Sequence, residues 1–284
     1  MASAKAVKPV RRLGGLMPVL SLAVLAGALP TSASAAECMG VEATITGSNN
    51  RDYLRGTSGP DVIAARDGDD VILGRQGEDR VCTGDGDDEV YLGADDDRAQ
   101  DGPGEAEFPP ADVVKGGTGD DLLELGDGSD QGYGGPGDDT VYSASAYGGD
   151  GEDKLVLLIA FDSNIFEAYG GDGPDRIFGG RQNNESLYGG DGADLISTEA
   201  GQNIKGQNID VFGGEGDDRL RGGAEDNRLF GQSGDDVIEA LAGADYLSGG
   251  SGSDYLNGGD NVDSCFGGDG IDEAVACEST SAVP

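Results

Sequence analysis

The sequence contains no histidine, and that gap excludes several kinds of active site. The serine and cysteine nucleophiles of hydrolases depend on a histidine base, and H-E-x-x-H zinc sites need two histidines. Most other zinc and copper sites also use imidazole ligands. Enzymes that work with a pair of carboxylates, as most glycosidases do, are not excluded by composition alone.

Basic residues are scarce as well. The chain has 18 lysine and arginine residues against 55 aspartate and glutamate residues, which gives a net charge of −37 at pH 7. Such a polyanion repels nucleic acids and anionic lipid surfaces, so we expect neither as a partner. The composition favours cations as ligands and identifies no macromolecular partner.

The first 36 residues have the order of a targeting segment. Basic residues at positions 5, 8, 11 and 12 precede an apolar run over 13–29, and the small residues Ala33, Ser34 and Ala35 follow it. This order is typical of a secretory signal peptide, predicted over 1–36. A retained membrane anchor is the alternative, but the run is short for a bilayer span and no later segment resembles one. We therefore expect a secreted, extracellular protein.

Cysteine is limited to four residues, which in an exported chain indicates two disulfides. Three pairings are possible. Joining each cysteine to its nearer neighbour pairs Cys38 with Cys82 and Cys265 with Cys277. This pairing would place one bond at each end of the repeats described next.

Glycine and aspartate are abundant and recur together every nine residues. In residues 213–275 aspartate holds the sixth position of every block except one, where Asn227 stands, and a small or apolar residue holds the eighth. Residues 47–100 form another array in the same pattern, with sixth positions from Asp52 to Asp97. Aspartate at the sixth position and a small or apolar residue at the eighth recur independently with the same nine-residue spacing. Chance clustering therefore does not explain the repeat.

Between these arrays the repeat continues with interruptions. An insertion over 101–111 predicts a surface loop, and the phase resumes at Asp112. The five residues SASAY, 143–147, are interpreted as an addition before Asp153. The predicted order after the signal peptide is an N-terminal cap (37–46), a first array (47–100), the insertion (101–111), an interrupted second array (112–212), a third array (213–275), and a C-terminal cap and tail (276–284).

The composition of one block predicts its conformation. Glycines at the first, second and fourth positions favour a tight turn with left-handed backbone angles. The seventh to ninth positions alternate like a very short strand, with the eighth side chain pointing inward. Two blocks make one coil of 18 residues, so stacked coils would build two parallel sheets that face each other. The expected fold is all-β, a parallel β-roll or β-solenoid.

Stacking would align the sixth-position aspartates in two rows, with about 4.8 Å between coils. Carboxylates at that spacing repel each other unless cations lie between the turns. Ca²⁺ accepts about six to eight oxygens, including carbonyls, whereas Mg²⁺ demands a smaller octahedral cage. We therefore expect multiple calcium ions, and binding that is coupled to folding. The expected ligands are Asp61, Asp70, Asp79, Asp88, Asp97, Asp121, Asp130, Asp139, Asp153, Asp175, Asp194, Asp218, Asp236, Asp245, Asp254, Asp263 and Asp272.

Several blocks follow the pattern G-G-x-G-x-D-x-U-x, among them GGTGDDLLE (116–124), GGPGDDTVY (134–142) and GGEGDDRLR (213–221). On these residues the chain resembles the secreted bacterial RTX, or hemolysin-type, calcium-binding proteins over nearly all of 47–275. The resemblance implies calcium held in the turns by the sixth-position aspartate and by carbonyl oxygens of the glycine-rich loop. Asn227, Asn261 and the segment 179–212 depart from the pattern.

The function expected from these observations is that of a secreted, non-enzymatic calcium-binding protein. The alternative is an extracellular adhesin or matrix protein that uses the calcium-stiffened roll as a spacer. Residues 37–46 are too few for a catalytic domain ahead of the repeats. The apolar segment 154–161 is expected to be a core strand, with a binding patch as the alternative. Fifth-position acids such as Asp69, Asp87 and Asp120 are expected to be solvated.

Overall fold

The computed structural model describes residues 36–101, 111–126, 128–158, 166–180, 185–198 and 209–281. Residues 1–35 of the predicted signal peptide, most of the 101–111 insertion and residues 282–284 lie outside this set. The regular secondary structure of the described residues is entirely β-strand. In chain order the strands are β1 (Glu37–Cys38), β2 (Val41–Glu42), β3 (Ile45–Thr46), β4 (Tyr53–Arg55), β5 (Val62–Asp67), β6 (Val71–Gln76), β7 (Arg80–Asp85), β8 (Glu89–Ala94), β9 (Arg98–Gln100), β10 (Val113–Thr118), β11 (Leu122–Glu124), β12 (Gln131–Pro136), β13 (Thr140–Ser143), β14 (Ser145–Asp150), β15 (Lys154–Leu157), β16 (Phe166–Asp172), β17 (Arg176–Phe178), β18 (Glu185–Asp191), β19 (Leu195–Ser197), β20 (Asp210–Glu215), β21 (Arg219–Arg221), β22 (Arg228–Ser233), β23 (Val237–Glu239), β24 (Tyr246–Ser251), β25 (Tyr255–Asn257), β26 (Ser264–Asp269), β27 (Glu273–Val275) and β28 (Ser279–Ser281).

The described strands from β3 onward form two parallel sheets of 13 strands each. Even-numbered strands from β4 to β28 make sheet 1, and odd-numbered strands from β3 to β27 make sheet 2. Neighbours within a sheet are two elements apart because the chain crosses to the other sheet after every strand. β1 and β2 pair antiparallel as a separate hairpin. The predicted all-β parallel β-roll, with two repeats per coil, is confirmed.

The core lies between the two sheets and is built from the inward-facing eighth positions. In sheet 2, Val81 lies beside Ile63 on one side and Ala99 on the other, and all three are buried. In sheet 1, Leu247 lies between Leu229 and Cys265 in the same way. Each large aliphatic side chain buried here contributes roughly 1.5–3 kcal/mol. One apolar cluster therefore links successive coils.

The turns use glycine for two different reasons. The second and fourth positions have left-handed backbone angles, with φ of 124° at Gly117 and 126° at Gly119, as the sequence predicted. At the first position the prediction was wrong, because Gly116 does not have a positive φ. A Cβ at Gly116 would instead collide with Oδ2 of Asp121, the sixth residue of the same turn. Glycine at the first position makes room for a carboxylate.

The segment SASAY shortens a coil. β13 ends at Ser143 and β14 begins at Ser145, so the chain passes between the sheets through the single residue Ala144, which is buried. Asp139 and Asp153 are consequently stacked although only 14 residues separate them. The interpretation as an added five-residue segment was wrong, because the small Ala144 replaces a whole glycine-rich turn at this corner.

Both predicted disulfides form, and they constrain different parts of the fold. Cys265 lies buried in β26 of sheet 1 and bonds to Cys277, just after β27 of sheet 2, with a Cα–Cα distance of 6.0 Å. This bond covers the C-terminal end of the core. Cys38 bonds to Cys82 in β7 at a Cα–Cα distance of 5.5 Å. Because β7 is the third strand of sheet 2, this bond clips the β1–β2 hairpin onto sheet 2 and does not close the open N-terminal end.

The apolar segment 154–161 is a core strand over its described part. Leu155 and Leu157 of β15 are buried between the sheets, and residues 159–161 lie outside the described residues. Nowhere in the described ranges is there a helix of the length and apolar character that a membrane crossing needs.

Candidate metal centre

The sixth-position aspartates of the turns that lead into sheet 2 form an unbroken row, here called the continuous ladder. The backbone N–H of each aspartate donates to Oδ1 of the aspartate in the next coil, at 2.7–3.1 Å. The hydrogen bonds persist across coils of 14, 18, 19, 22 and 24 residues. Its members are Asp61, Asp79, Asp97, Asp121, Asp139, Asp153, Asp175, Asp194, Asp218, Asp236, Asp254 and Asp272.

The turns that lead into sheet 1 form a second row, here called the interrupted ladder. Its first part, linked by the same hydrogen bond, runs through Asp52, Asp70, Asp88, Asp112 and Asp130. Its last part contains Asp245 and Asp263 and ends at Glu278, which accepts the N–H of Asp263 at 2.7 Å. Between these parts, the strand register shows which residues occupy the positions that aspartates hold elsewhere in the row. They are Ala144, Phe166, Glu185, Ile209 and Asn227.

The ladder carboxylates are buried, and one oxygen of most of them is left without a partner. Their Oδ1 atoms accept the amide hydrogen bonds described above. The Oδ2 atoms of many are enclosed by protein and have no hydrogen-bond partner among the described residues, which is costly for a charged group. They belong to Asp70, Asp79, Asp88, Asp97, Asp121, Asp139, Asp153, Asp175, Asp194, Asp218, Asp236, Asp245, Asp254, Asp263 and Asp272.

Backbone carbonyl oxygens lie close to these unsatisfied atoms. Oδ2 of Asp121 faces Gly116, and the carbonyl oxygen of Gly134, in the next turn, lies 2.7 Å from the point that a Cβ of Gly116 would occupy. The turn at Gly213 repeats this arrangement with Asp218 and the carbonyl of Gly231. Among the described residues no three acidic or cysteine side chains converge on one point. An ion here would therefore be held by carboxylate and carbonyl oxygens from successive turns, the ligand type that calcium prefers.

Burial shifts the ladder carboxyls towards their protonated form. Burial, followed by the charges of neighbouring acids and opposed by the amide hydrogen bond, raises the pKa of Asp112 and Asp121 to about 8. The same causes raise the pKa of Asp88 to about 7 and that of Asp79 to about 6. A bound cation would strongly stabilise the ionised form of these carboxyls, because it offsets the cost of burying their charge.

Every aspartate predicted as a ligand lies in one of the two ladders. The predicted ligands did not include four acids that lie at positions of the interrupted ladder: Asp52, Asp112, Glu185 and Glu278. Asp52 and Asp112 were detectable because they keep the nine-residue phase, whereas Glu278 lies beyond the last block. The fifth-position acids are exposed as expected, but they also form hydrogen bonds between coils. Oδ1 of Asp120, for example, accepts the N–H of Asp138 at 2.9 Å.

Comparison with known families agrees with this geometry. The family model described as RTX calcium-binding nonapeptide repeat (4 copies) matches residues 46–81, 111–141, 169–204, 212–247 and 239–274. No curated protein matches the chain significantly. The matched segments together cover more than half of the chain. They contain most rungs of both ladders, a rung being the ladder residue that one coil contributes. The chain is therefore a member of the RTX calcium-binding repeat family, folded as a β-roll.

Proposed function

We propose that this protein is secreted and non-enzymatic, and that it binds calcium between successive turns along both ladders. The observation that carries the proposal is the row of buried Oδ2 atoms without hydrogen-bond partners. At ten turns whose first residue is glycine, this oxygen faces that glycine, as Oδ2 of Asp218 faces Gly213, where a carbonyl oxygen of the next coil also lies. A calcium ion would neutralise the negative charge of these oxygens, which have no hydrogen-bond donor.

Within this proposal the two carboxylate oxygens of a ladder aspartate have different roles. Oδ1 fixes the spacing of successive coils by accepting an amide hydrogen bond, as Asp236 does from Asp218 at 2.9 Å. Oδ2 remains available as a ligand in most positions, but in Asp52 and Asp61, at the N-terminal ends of the two rows, it accepts the N–H of Ser48 and of Thr57. The other predicted ligands keep this assignment, and Asp112 joins them because it occupies an equivalent position in the interrupted ladder.

The two ladders are expected to differ in occupancy. The continuous ladder offers an aspartate at every coil from Asp61 to Asp272, so calcium can bind along its whole length. In the interrupted ladder the rungs at Ala144, Phe166 and Ile209 carry no oxygen on the side chain, and all three side chains are buried. Apolar packing holds the coils together there, and calcium is expected only before Ala144 and after Asn227.

Calcium binding is expected to be coupled to folding. The chain has a net charge of −37, and its ladders bring ionised carboxylates within about 5 Å of each other along each row. Without cations, their repulsion and the cost of burying them oppose the stacked state. Unfolded chains with high net charge and limited apolar content stay disordered, so the ion-free chain should lose much of its strand content.

Export is proposed on two grounds. The order of basic, apolar and small residues before position 36 is that of a signal peptide, and two disulfides are formed, which is typical of oxidising compartments. A non-enzymatic role is proposed because the chain lacks histidine and its ladder carboxylates are enclosed between turns, where a substrate cannot reach them. Hydrolysis of any polysaccharide in a screen of the purified protein would contradict that part.

One observation favours the spacer role as a second candidate. On the outer face of sheet 1, six aromatic rings stack in register with centroids 4.5–5.3 Å apart and nearly parallel planes. Their ring faces contact each other, so they couple neighbouring coils and stiffen the stack. The rings are those of Tyr133, Tyr147, Tyr169, Tyr188, Phe212 and Phe230.

The main proposal is tested by counting calcium ions and measuring folding on the same sample. Native mass spectrometry of the disulfide-bonded protein gives the number of ions bound, and circular dichroism gives the strand content with calcium and with chelator. We expect several ions and a large gain of strand signal with calcium. Equal strand content in both conditions would show that binding and folding are not coupled, and a protein that binds no calcium would overturn the proposal.

A further inference from the structure

The outer face of sheet 2 collects cations in a protein whose net charge is −37. The outward-facing seventh positions of its strands from β7 to β21 include five cations and no acid. The strand register places Arg80 beside Arg98, and Lys154 beside Arg176. Like charges on neighbouring strands are unfavourable unless opposite charges lie nearby. The residues of this cation row are Arg80, Arg98, Lys154, Arg176 and Arg219.

A row of acids runs beside the cation row. It is formed by exposed fifth residues of the turns that lead into sheet 2, each two residues before a seventh position. Alternate residues of an extended chain lie about 6–7 Å apart, so the two rows stay side by side along the roll. At four coils both positions are charged, in the segments EDR (78–80), DDR (96–98), EDK (152–154) and DDR (217–219). The residues of this acid row are Glu78, Asp96, Asp120, Asp138, Glu152 and Asp217.

Three arginines of the cation row are not paired with the acids beside them. Among the described residues, Arg80, Arg98 and Arg219 form no ion pair. Arg176 pairs with Glu152 of the preceding coil, and its own coil has proline at the fifth position. The arginine that has no acid in its own coil is therefore neutralised within the chain, whereas the three that have one can pair with another molecule.

Surface clefts lie between the two rows. One, of about 270 Å³, is lined by residues of both rows that include Glu78 and Arg98. The other, of about 480 Å³, is lined by residues that include Asp217 and Arg219. The long side chain of an arginine from another molecule can enter such a cleft and reach a carboxylate of the acid row.

A second copy of the chain, related by a twofold axis parallel to the roll, would present the two rows in the opposite order. The cation row of each copy then faces the acid row of the other, coil for coil, so that Arg98 meets Asp96 of the second copy. Leu195 is 40 % exposed and its coil has Ala193 at the fifth position, so two apolar positions meet at that coil. At the coils of Asp120 and Asp138 the acid faces an uncharged residue.

We infer that the acid row and the cation row together bind a second copy of this chain in a symmetric dimer. Twofold dimers with self-complementary contacts are the commonest homo-oligomers. From β7 to β21 the contact is about 34 Å long and narrow, which places it among small interfaces of less than about 1,200 Å². The dimer is therefore weak and sensitive to salt. Calcium bound along the ladders favours it by lowering the net negative charge, and in this respect alone the inference rests on the proposed function.

The test is sedimentation velocity of the disulfide-bonded protein in calcium, at concentrations up to about 500 μM, which reveal a micromolar Kd. We expect a dimer at low ionic strength that dissociates at about 1 M salt, where the Debye length is about 3 Å. Arg98→Glu should weaken the dimer at least about tenfold, because the change acts at two symmetric places. Arg55→Glu is the matched control: Arg55 is exposed on β4 of sheet 1, and this variant should dimerise as the wild type does.

A charge swap tests the arrangement itself. The double variant Asp96→Arg with Arg98→Asp exchanges the two charges, so pairing between copies should return and the dimer should be stronger than in R98E. A swap variant as weak as R98E, or an R98E dimer as strong as the wild type, would overturn the inference.

The remaining outcomes are equally decisive. A wild type that binds calcium and folds but stays monomeric would overturn the inference and leave the proposed function intact, whereas a chain that binds no calcium would overturn the proposed function. A monomer that binds polyglutamate through Arg98 would assign the cation row to a polyanion and overturn the dimer. If circular dichroism shows that R98E does not fold, Arg98→Gln replaces it, and failure of both to fold would assign Arg98 a role within its own chain and overturn the inference.

Discussion

The backbone N–H of Asp97 donates to Oδ1 of Asp121 at 2.8 Å across a coil of 24 residues. The neighbouring rung, from Asp79 to Asp97, spans 18 residues with a distance of 2.7 Å. The extra residues belong to the insertion between β9 of sheet 2 and β10 of sheet 1, and not to the turns that carry the continuous ladder. The geometry of the continuous ladder is thus independent of coil length, and the structure keeps it intact at every described coil.

The first prediction concerns the charge of a rung in the continuous ladder. Replacing Asp218 with asparagine keeps the acceptor for the N–H of Asp194 but removes the negative charge beside the unsatisfied oxygen. In calcium, we expect the variant to lose about 1–3 kcal/mol of unfolding free energy and to need more calcium to fold. Denaturant unfolding at several calcium concentrations measures both. The adjacent exposed Asp217, changed to asparagine, is the control and should behave as the wild type does.

The second prediction concerns first-position glycine. Gly213→Ala places a methyl group against Oδ2 of Asp218, so the carboxylate must move away from the carbonyl oxygen of the next turn. Calcium affinity and thermal stability should both fall. Gly59→Ala is the matched control, because nothing lies within 4 Å of its added Cβ. Equal thermal shifts for the two variants would show that the carboxylate does not need this space.

The third prediction is a gain of function. Asn227 occupies a rung next to Asp245, and its Oδ1 lies beside Gly222 together with the carbonyl oxygen of Ala240. Asn227→Asp would complete a ligand set at this rung, so the variant should bind one additional calcium ion in native mass spectrometry. Asn257→Asp adds the same charge on the outer face of sheet 2 and should not. No additional ion in N227D would contradict the assignment of the rungs.

The fourth prediction is a reversed pH dependence without calcium. Burial raises the pKa of Asp112 and Asp121 to about 8 and that of Asp139 to about 6, against about 3.9 in an unfolded chain. Carboxyls with raised pKa values stabilise the fold when protonated. Their contribution is complete below about pH 4 and is lost as pH rises through about 6 to 8. Strand content in calcium-free buffer should therefore fall between pH 5 and pH 8, as measured by circular dichroism.

With calcium present the dependence has the opposite sign. Protons and calcium compete for the same carboxylates, so calcium affinity should rise as pH increases from about 6 to about 8. Calcium titrations at fixed ionic strength test this. An affinity that does not change over this range would mean that the ladder carboxylates are not the ligands.

The fifth prediction separates the two disulfides. The bond between Cys265 and Cys277 covers the core end, so replacing both residues with serine should destabilise the protein by about 2–4 kcal/mol and first expose the amides of β26 and β27 to hydrogen exchange. Replacing Cys38 and Cys82 should release the β1–β2 hairpin while β26 and β27 keep their protection. Hydrogen exchange with mass spectrometry distinguishes these patterns, and loss of protection at the C-terminal strands in both variants would contradict them.

The sequence by itself determined the period of the fold and the chemistry of its turns. The position of Asp218 six residues into a block, and of Leu220 two residues later, is a local pattern. Local patterns are readable because turn angles and strand alternation depend on residues a few positions apart. The two rows of aspartates within the regular arrays, the two sheets and the expectation of calcium followed from such patterns, whereas the disulfide pairing was one of three that the sequence allowed.

Only the tertiary structure decided which rungs lie next to each other where coils differ in length. Asp139 stacks on Asp153 across 14 residues because Ala144 fits the corner, and Phe166 and Ile209 replace ligands because the core extends to the edge there. The sequence also did not predict that the hydroxyl of Thr83 contacts the carboxyl groups of both Asp101 and Asp112. These contacts join residues that are distant in the chain, and they are set by packing between coils, which no nine-residue pattern records.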